Sequence, residues 1–428
     1  METILVISFN GFSETNANGK TLQALLSDYG AENLLQFYRG NEKIDFAFAR
    51  SYFHVTDKEM LKSFFMKRPA GVYTDTEKCE NGGGAAVPSQ SAALSSALRK
   101  HNYNFLLRWT RELLWCIAPW GKKKFFRWLD EQNPKAIVYM VGESIFEDRL
   151  VCKIAKRKNI PVVLYNCEGY RLVDLQQRHG VERLFYRTVE RSYRKLQKRT
   201  SLVIYNCQYL KRKYQQKYTT PENATIALNA AAFDTTVYGA KEKETLSIAY
   251  FGNLGVGRVP SLLQVADTIH HLRPGQKIDV YGSPSQEDAV KLGNHPAIVL
   301  RGFVNQETLQ KVRENADILL HVESFDSQIV PKLKNAFSTK IAQCLCSGRA
   351  LFTYAPKDMA STEYLLSEGC ACAACSQSEM EQKMQMLLTS ATLRKKLADQ
   401  ALSVARQNHD LKKTAQRIRT MIGATYES

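Results

Sequence analysis

Short apolar runs alternate along this chain with longer stretches in which apolar positions recur every three or four residues. That alternation predicts parallel β-α-β units and a doubly wound sheet. In the first half, residues 3–9 form an apolar strand ending at Asn10-Gly11, and a polar loop through Asn18-Gly19-Lys20 leads into a helix from Thr21 to Leu26. Pro69, the run Gly82-Gly83-Gly84 and Pro88 predict a mobile loop over 68–91. From Leu94 a stripe through Leu98, Phe105, Trp109, Leu113 and Ile117 predicts an amphipathic helix, with Arg99, Lys100, Arg108 and Arg111 mostly off it. Pro119 stops that helix, and Lys122 to Leu129 predicts another short one. Strands follow at 136–141, 161–165 and 202–205, with helices near 145–158, 180–198 and 207–217.

The stretch 232–245, with Asp234, Gly239 and a run of Lys and Glu, predicts a hinge, after which the pattern restarts. Strand 246–251 leads through a glycine-rich turn to a helix from Ser261 to Leu272. Further strands are expected at 277–281, 297–301, 317–321 and 350–354, and a helical tail from about 378. The fold class expected is therefore α/β, with two Rossmann-like halves and a ligand in the crevice between them. The boundaries expected are 1–235 for the first domain and 240–405 for the second. Residues 406–428 are expected to form a helix packing back toward the first domain.

Composition narrows the class. The chain has 428 residues, 44% of them hydrophobic and 24% charged, as in a soluble globular protein of two or three domains. Met1-Glu2-Thr3 leads straight into Ile4-Leu5-Val6-Ile7, without a basic region or cleavage site, and no apolar run reaches the length of a membrane span. Ten scattered cysteines fit reduced thiols. A cytoplasmic protein, peripheral on the inner face of the cytoplasmic membrane at most, is the expectation. The net charge of +17 is uneven: residues 149–217 hold 18 basic and 4 acidic residues, or +14. Such a field attracts anionic lipid or phosphate-bearing ligands. No nucleic-acid recognition motif accompanies it, so nucleic acid is not an expected partner.

Three segments carry candidate chemistry. Gly252-Asn253-Leu254-Gly255-Val256-Gly257-Arg258 follows a strand, where glycines let the backbone approach a diphosphate and a helix N-terminus adds positive potential. The spacing is not the dinucleotide fingerprint, and a plain tight turn is the alternative. His321-Val322-Glu323-Ser324-Phe325-Asp326 follows another strand, where a carboxylate can accept hydrogen bonds from sugar hydroxyls or simply be solvated. Phe337-Ser338-Thr339-Lys340 opens a helix: Ser338 or Thr339 suits its N-cap, and Lys340 either binds an anion there or is an exposed surface lysine.

Together these segments resemble the GT-B-fold glycosyltransferases, specifically the large retaining group known as family 4. The resemblance is most specific from Leu246 to Tyr354, through Phe-Gly-Asn-Leu-Gly with Gly-Arg, Arg301-Gly302-Phe303-Val304, His-Val-Glu-Ser-Phe-Asp, Phe-Ser-Thr-Lys and Ser347-Gly348-Arg349-Ala350. In the first half, Asn18-Gly19-Lys20-Thr21-Leu22, Arg111-Glu112-Leu113-Leu114-Trp115 and Pro134-Lys135-Ala136-Ile137 look like a branch found in bacterial surface-polysaccharide pathways.

The resemblance implies a retaining, metal-independent transferase. It would move a sugar from a nucleoside-diphosphate sugar, its co-substrate, to a glycan or lipid-linked glycan, with no other cofactor. By position, Gly252, Asn253, Leu254 and Gly255 would line the diphosphate, with Ser338 and Thr339 nearby, and Arg258 and Lys340 would neutralise it as the leaving group. Phe303 and Val304 would flank the base, and Glu323, first of the family's paired glutamates, would lie near the sugar. The second glutamate, which holds the ribose, aligns with Gln343. The lysine usual after Gly-Arg is replaced by Val259-Pro260-Ser261, with Lys340 as its substitute. These departures support the competing reading, a catalytically silent GT-B scaffold in a polysaccharide assembly complex.

Other features give weaker expectations. Asn18, Gly19 and Lys20 are acceptor-side candidates or a surface loop, and Glu143, Asn166 and Glu168 end strands near them. Trp109, Trp115, Trp120 and Trp128, among Lys122, Lys123, Lys124 and Arg127, either pack inward or rest on an anionic membrane, to which residues 109–217 would bind. Cys370, Cys372 and Cys375 are too few and too irregular for a metal site, and no metal is expected.

Overall fold

All nine apolar runs become strands, each in one of two sheets. The computed structural model describes residues 2–13, 16–41, 46–66, 71–75, 105–219, 221–234 and 236–427. The first sheet has the order β4-β3-β2-β1-β5-β6-β7-β8. Its strands are β1 (Ile4–Ser8), β2 (Leu34–Tyr38), β3 (Ser51–His54), β4 (Val72–Asp75), β5 (Ala136–Met140), β6 (Val162–Asn166), β7 (Thr200–Tyr205) and β8 (Ala224–Ile226). All pairings are parallel except β3 with β4. Because β1 lies between β2 and β5, the order of the strands reverses there.

Strands β2 and β3 escape the apolar pattern because polar residues in them are buried and satisfied. The Gln36 amide donates to Ser8 Oγ at 3.0 Å and its Oε1 accepts from the Phe12 amide at 2.9 Å. Ser51 Oγ accepts from the Trp128 indole at 2.9 Å. Strand β4 falls inside the stretch expected to be a mobile loop over 68–91. The rest of that loop, apart from Gly71, and the start of the predicted helix at 94–104, lie outside the described residues.

The helix Ala17–Leu26 begins earlier than expected, because the Asn16 side chain caps it by accepting from the Asn18 and Gly19 amides. Asn18, Gly19 and Lys20 therefore form a helical first turn and not a loop. The helix Asp57–Met66 opens with a reciprocal box, in which Thr56 Oγ1 accepts from the Glu59 amide and Glu59 Oε2 from the Thr56 amide.

The helix Phe105–Ile117 follows the predicted stripe only in its first half, where Phe105 and Trp109 pack on Ile145, Phe185 and Val189, and departs from it in the second. Leu113 and Ile117 are each 55% exposed, whereas Glu112 and Trp115 are buried. Tertiary hydrogen bonds decide this orientation: the Trp115 indole donates to Asp57 Oδ1 at 2.7 Å, and Glu112 Oε2 accepts from the Phe146 amide at 2.9 Å. Trp120 and Trp128 are buried as well. Three of the four tryptophans therefore face the interior, so of the two expectations for them inward packing holds for Trp115, Trp120 and Trp128.

The second sheet has the order β11-β10-β9-β12-β13-β14 and is parallel throughout. Its strands are β9 (Ile248–Phe251), β10 (Ile278–Tyr281), β11 (Ile298–Gly302), β12 (Ile318–Val322), β13 (Ala350–Tyr354) and β14 (Cys372–Ala374). Strands β9, β12 and β13 are buried along their whole length, as the middle of a parallel sheet covered by helices on both faces must be.

The chain divides into two compact units, Met1–Ala227 with Ala415–Ser428, and Leu228–Thr414. The division falls at 227/228 and not at the expected 235. The helical tail expected from about 378 is three helices, Gln377–Thr389, Ala391–Asn408 and Leu411–Glu427, and Ile418 and Ile422 of the last join Ile4, Val6 and Leu22 in the core of the first unit. The stretch expected to be a hinge is anchored in the second unit, where the buried Asp234 carboxylate holds Arg313 through two hydrogen bonds of 2.7 and 2.9 Å.

Candidate functional site

Strand β9 ends at Phe251, and the turn after it is held from both sides. The Gly252 amide donates to Tyr281 O at 2.9 Å, and the Tyr250 hydroxyl donates to Asn253 O at 2.9 Å. Asn253 folds back so that its Oδ1 accepts from the Gly255 amide at 2.7 Å. Two of the amides expected to line a diphosphate are thus already engaged, and the Leu254 side chain is buried in the core. What the turn does supply is access. Gly252 has φ +124°, and a Cβ there would stand 3.1 Å from Lys340 Cε and 3.6 Å from its Nζ. Gly257, at φ +72°, has Ser324 Oγ and Ile329 Cδ1 2.6 Å from where a Cβ would be. It forms the N-cap of the helix Arg258–Leu272.

The first residue of that helix grips the end of β12. Arg258 Nε and Nη2 donate to the two oxygens of Glu323 at 2.9 and 3.0 Å, a bidentate pair. The backbone of Glu323 is fixed too: its amide donates to Tyr354 O at 3.1 Å and its carbonyl accepts from Ser261 Oγ at 2.7 Å. The segment Asp326–Asn335 that follows contains the short helix Val330–Leu333.

Lys340 is the outlier. It lies in the first turn of the helix Thr339–Cys346, where Ser338 takes the N-cap position without a side-chain capping bond. It is not a surface lysine: only 9% of it is exposed, and its Nζ has no hydrogen-bond partner among the described residues. The ammonium lies 3.8 Å from the centroid of the Tyr250 ring. Burial pushes its pKa down to about 7, with the Arg258 charge adding to the effect and Cys344 and Glu323 opposing it. His321, at the end of β12, is buried beside it; neither ring nitrogen has a hydrogen-bond partner among the described residues, and Nε2 lies 3.7 Å from Glu323 Oε1. Its pKa falls well below the usual imidazole range, through burial and then the Lys340 and Arg258 charges, so the ring is neutral at pH 7.

The structure thus gathers Gly252, Arg258, Glu323 and Lys340 about the carboxyl ends of β9 and β12, where the strand order of the second sheet reverses. That is the crevice in which open α/β sheets take ligands. Gln343 is half-buried one turn beyond Lys340, and Thr339 opens the same helix. Phe303 is 76% exposed just past β11, with Val304 half-buried beside it. Tyr250 and Ser261, which position this cluster, carry no local signal, since each acts on a residue that only folding brings close. The cluster offers a buried unpaired ammonium and a guanidinium with a carboxylate across it, a set suited to an anion with a polar group attached. Among the described residues, no three His, Cys, Asp or Glu side chains gather as metal ligands. Cys370 and Cys372 are instead, respectively, buried beside β14 and part of it.

The first unit has a site of its own, a cavity of about 440 Å³ at the carboxyl ends of β1 and β5. Asn18 lines it, and its side-chain Nδ2 donates to Asn10 Oδ1 at 3.0 Å. Gly19 is buried against the backbone of Gly11 and Ser13, and Lys20 is half-exposed on the same helix. Glu143 lines the cavity, whereas Asn166 is buried accepting from the Tyr193 hydroxyl at 3.1 Å. Burial raises the Glu168 pKa to about 7. Arg39, which also lines the cavity with Glu112 and Glu147, went unrecognised in the sequence because it follows the unpredicted strand β2.

Residues 261–420 match a family model described as "Glycosyl transferase-like", a span that includes Glu323, Lys340 and Gln343 but begins after Arg258. No curated protein matches the sequence significantly. Among solved structures, HepE of Anabaena in complex with UDP and glucose is similar at a TM-score of 0.62, with 12% identity over 99% of this chain and 100% of that one. Sucrose-phosphate synthase of Thermosynechococcus elongatus is similar at 0.61, with 10% identity over the whole of both chains. The lipopolysaccharide outer core galactosyltransferase WaaB, in its apo form, is similar at 0.55, with 11% identity over 98% and 99%. At such identities the likeness is one of architecture, and with the two parallel-sheet units it establishes the GT-B fold.

Proposed function

We propose that this chain is a glycosyltransferase that uses a nucleoside-diphosphate sugar, with its donor site at Gly252, Arg258, Glu323 and Lys340. The observation that carries this reading is the buried, unpartnered Lys340 ammonium lying directly beneath Gly252. A buried cation without a partner is costly, and a diphosphate above the glycine would supply the missing charge. The neighbouring UDP complexes of HepE support the donor class.

In the reaction the bond between the sugar's anomeric carbon and the β-phosphate oxygen breaks, and the acceptor hydroxyl oxygen bonds to that carbon. Arg258 and Lys340 stabilise the charge that develops on the departing diphosphate, and they do so without a metal. In the retaining course implied by the family resemblance, the β-phosphate oxygen takes the acceptor's proton. Glu323 holds Arg258 in place and presents its remaining lone pairs toward the sugar. Gln343 would meet the ribose with an amide in place of a carboxylate. We place the acceptor among glycans or lipid-linked glycans of bacterial surface polysaccharide synthesis.

An anionic membrane surface is proposed as a partner of residues 109–217, in the cytoplasm. No described helix is long and apolar enough to cross a membrane. What supports surface binding is the helix Gly180–Gln197, whose Arg183, Arg187, Arg191, Arg194 and Lys195 are exposed, together with exposed Lys123, Lys124 and Arg127. Salt-sensitive sedimentation with phosphatidylglycerol vesicles tests this, and equal binding to neutral vesicles refutes it.

The donor reading is tested by thermal shift with UDP, GDP, ADP and CMP, with NAD as control. A nucleotide at a hundred times its dissociation constant should stabilise by about 2.7 kcal/mol. The shift should vanish in Arg258→Ala. Absence of a shift with every nucleotide would instead favour the silent scaffold.

A further inference from the structure

Among the described residues nothing hydrogen-bonds the tip of Lys340, so the helix that carries it must set the ammonium's place, 3.8 Å from the Tyr250 ring centroid. That helix, Thr339–Cys346, has eight residues and no side-chain cap at its start. A helix shorter than about 12–15 residues is marginal alone, so its ends depend on the rest of the fold. At its start, the Phe337 carbonyl accepts from Asn229 Nδ2 at 3.0 Å, and the Ser338 amide donates to Ser361 Oγ at 3.0 Å. At its finish, the Cys346 carbonyl accepts from the Asp234 amide at 3.3 Å. The Cys346 thiol lies 3.6 Å from Ala231 O and 3.7 Å from His409 O.

Asn229, Ala231 and Asp234 belong to the segment by which the chain enters the second unit, and His409 to the segment by which it leaves. His409 joins the two. It is fully buried, and its Nδ1 donates to Asn229 O at 2.6 Å. Its carbonyl accepts from the Ala231 amide at 3.0 Å, next to a bridge between Ala231 and Asp410. Its ring lies nearly parallel to that of Phe337, at 10° and 6.4 Å between centroids. Burial pushes the ring's pKa down to about 4, against the bond to Asn229, so at pH 7 it is neutral with its proton on Nδ1. Nε2 then accepts from the Tyr364 hydroxyl at 2.8 Å, and Asn408 Nδ2 donates to that hydroxyl at 3.1 Å. An apolar ring would satisfy packing here. The imidazole adds direction, because each nitrogen takes one partner in one geometry.

We infer that His409 is a positioning residue for the donor site: it holds the start of the Lys340 helix through Asn229 and Phe337 and its finish through Ala231 and Cys346, and so sets where the ammonium stands. The inference rests on the reading of Lys340 as the counter-charge of a diphosphate, and it extends that reading to a residue outside the cluster. His409 meets no donor atom in this role; it acts through the helix.

The test is a double-mutant cycle in the full chain, read by calorimetry of UDP, GDP, ADP and CMP. His409→Phe should lower the affinity of the tightest-binding nucleotide about tenfold, the effect of one lost hydrogen bond. In Lys340→Met the same substitution should change affinity by less than about twofold, because no ammonium is left to misplace. His409→Asn brings an amide N–H to the place of Nδ1, and should recover affinity to within about threefold of the wild type. Urea unfolding of each variant separates misfolding from misplacement. Should His409→Phe not fold, Asn229→Ala cuts the link to Phe337 and goes through the same cycle. Equal losses with and without Lys340, unchanged affinity in both His409→Phe and Asn229→Ala, or no recovery in His409→Asn would overturn the inference alone. A wild-type chain that binds none of the nucleotides would defeat the donor reading itself, and the inference with it.

Discussion

Lys340 makes the donor reading measurable as a proton count. Its pKa in the empty site is about 7, so at pH 8 only about a tenth of the molecules carry the ammonium. A diphosphate about 3 Å from Nζ would attract that charge by about 5 kcal/mol per unit charge at an effective dielectric of about 20. This exceeds the cost of restoring the lysine to its ordinary value, at about 1.4 kcal/mol per pH unit. Binding should therefore draw about 0.9 of a proton from solution at pH 8, where the nucleotide is fully ionised. Because the complex holds more protons than the free protein, affinity should fall as pH rises above 7, by about tenfold per unit between pH 8 and 9. Calorimetry of UDP or GDP in two buffers of different ionisation enthalpy counts the protons directly. Lys340→Met keeps the side chain's length and removes the titration, so uptake in this variant should drop to near zero. Uptake near zero in the wild type, or equal uptake in Lys340→Met, would refute the argument that this ammonium waits for a phosphate.

The same lysine should cost stability when the site is empty. Its folded pKa lies below the unfolded one, so the unfolded chain binds the extra proton between pH 7 and about 10.5. The wild type should therefore gain stability relative to Lys340→Met as pH rises through that window, by about 1.4 kcal/mol per unit at most, in paired denaturant titrations. Gly252→Ala places a methyl 3.1 Å from Lys340 Cε at φ +124°, and should lower nucleotide affinity at least about tenfold in calorimetry while the chain still folds. Arg258→Lys cannot reproduce the two-pronged contact with Glu323, and should reduce sugar transfer or donor hydrolysis about a hundredfold in a nucleotide-release assay. Asp234→Ala leaves the Arg313 guanidinium buried without its carboxylate, and should destabilise the second unit by about 3–5 kcal/mol in urea unfolding.

Much of the fold was legible because central parallel strands are buried on both faces and must be apolar on both. Ile248–Phe251 and Ile318–Val322 declare themselves that way, whatever surrounds them. The glycine turn and the start of the helix at Thr339 were legible for a similar reason, since backbone geometry restricts their residues locally. Strand β2 was hidden because Gln36 is satisfied by Ser8 and Phe12, partners that no window around residue 36 contains. The second half of the helix Phe105–Ile117 was misoriented because periodicity shows that a face exists, but Asp57 and Phe146 choose which residues turn inward there.

By itself, then, the sequence determined the alternation of strands and helices, the two halves and the places where polar residues meet strand ends. The tertiary structure decided the state of those residues. Lys340 reads equally as an anion binder or a surface lysine until the fold buries it against Tyr250, ninety positions earlier, and burial lowers its pKa to about 7. Arg258 becomes the partner of Glu323 across 65 positions, and Arg39 that of Glu147 across 108. Hydrophobic patterning acts through each residue's own preference for water and is written locally. Desolvation and ion pairing depend on what lies within a few ångströms, and only the folded chain sets those neighbours.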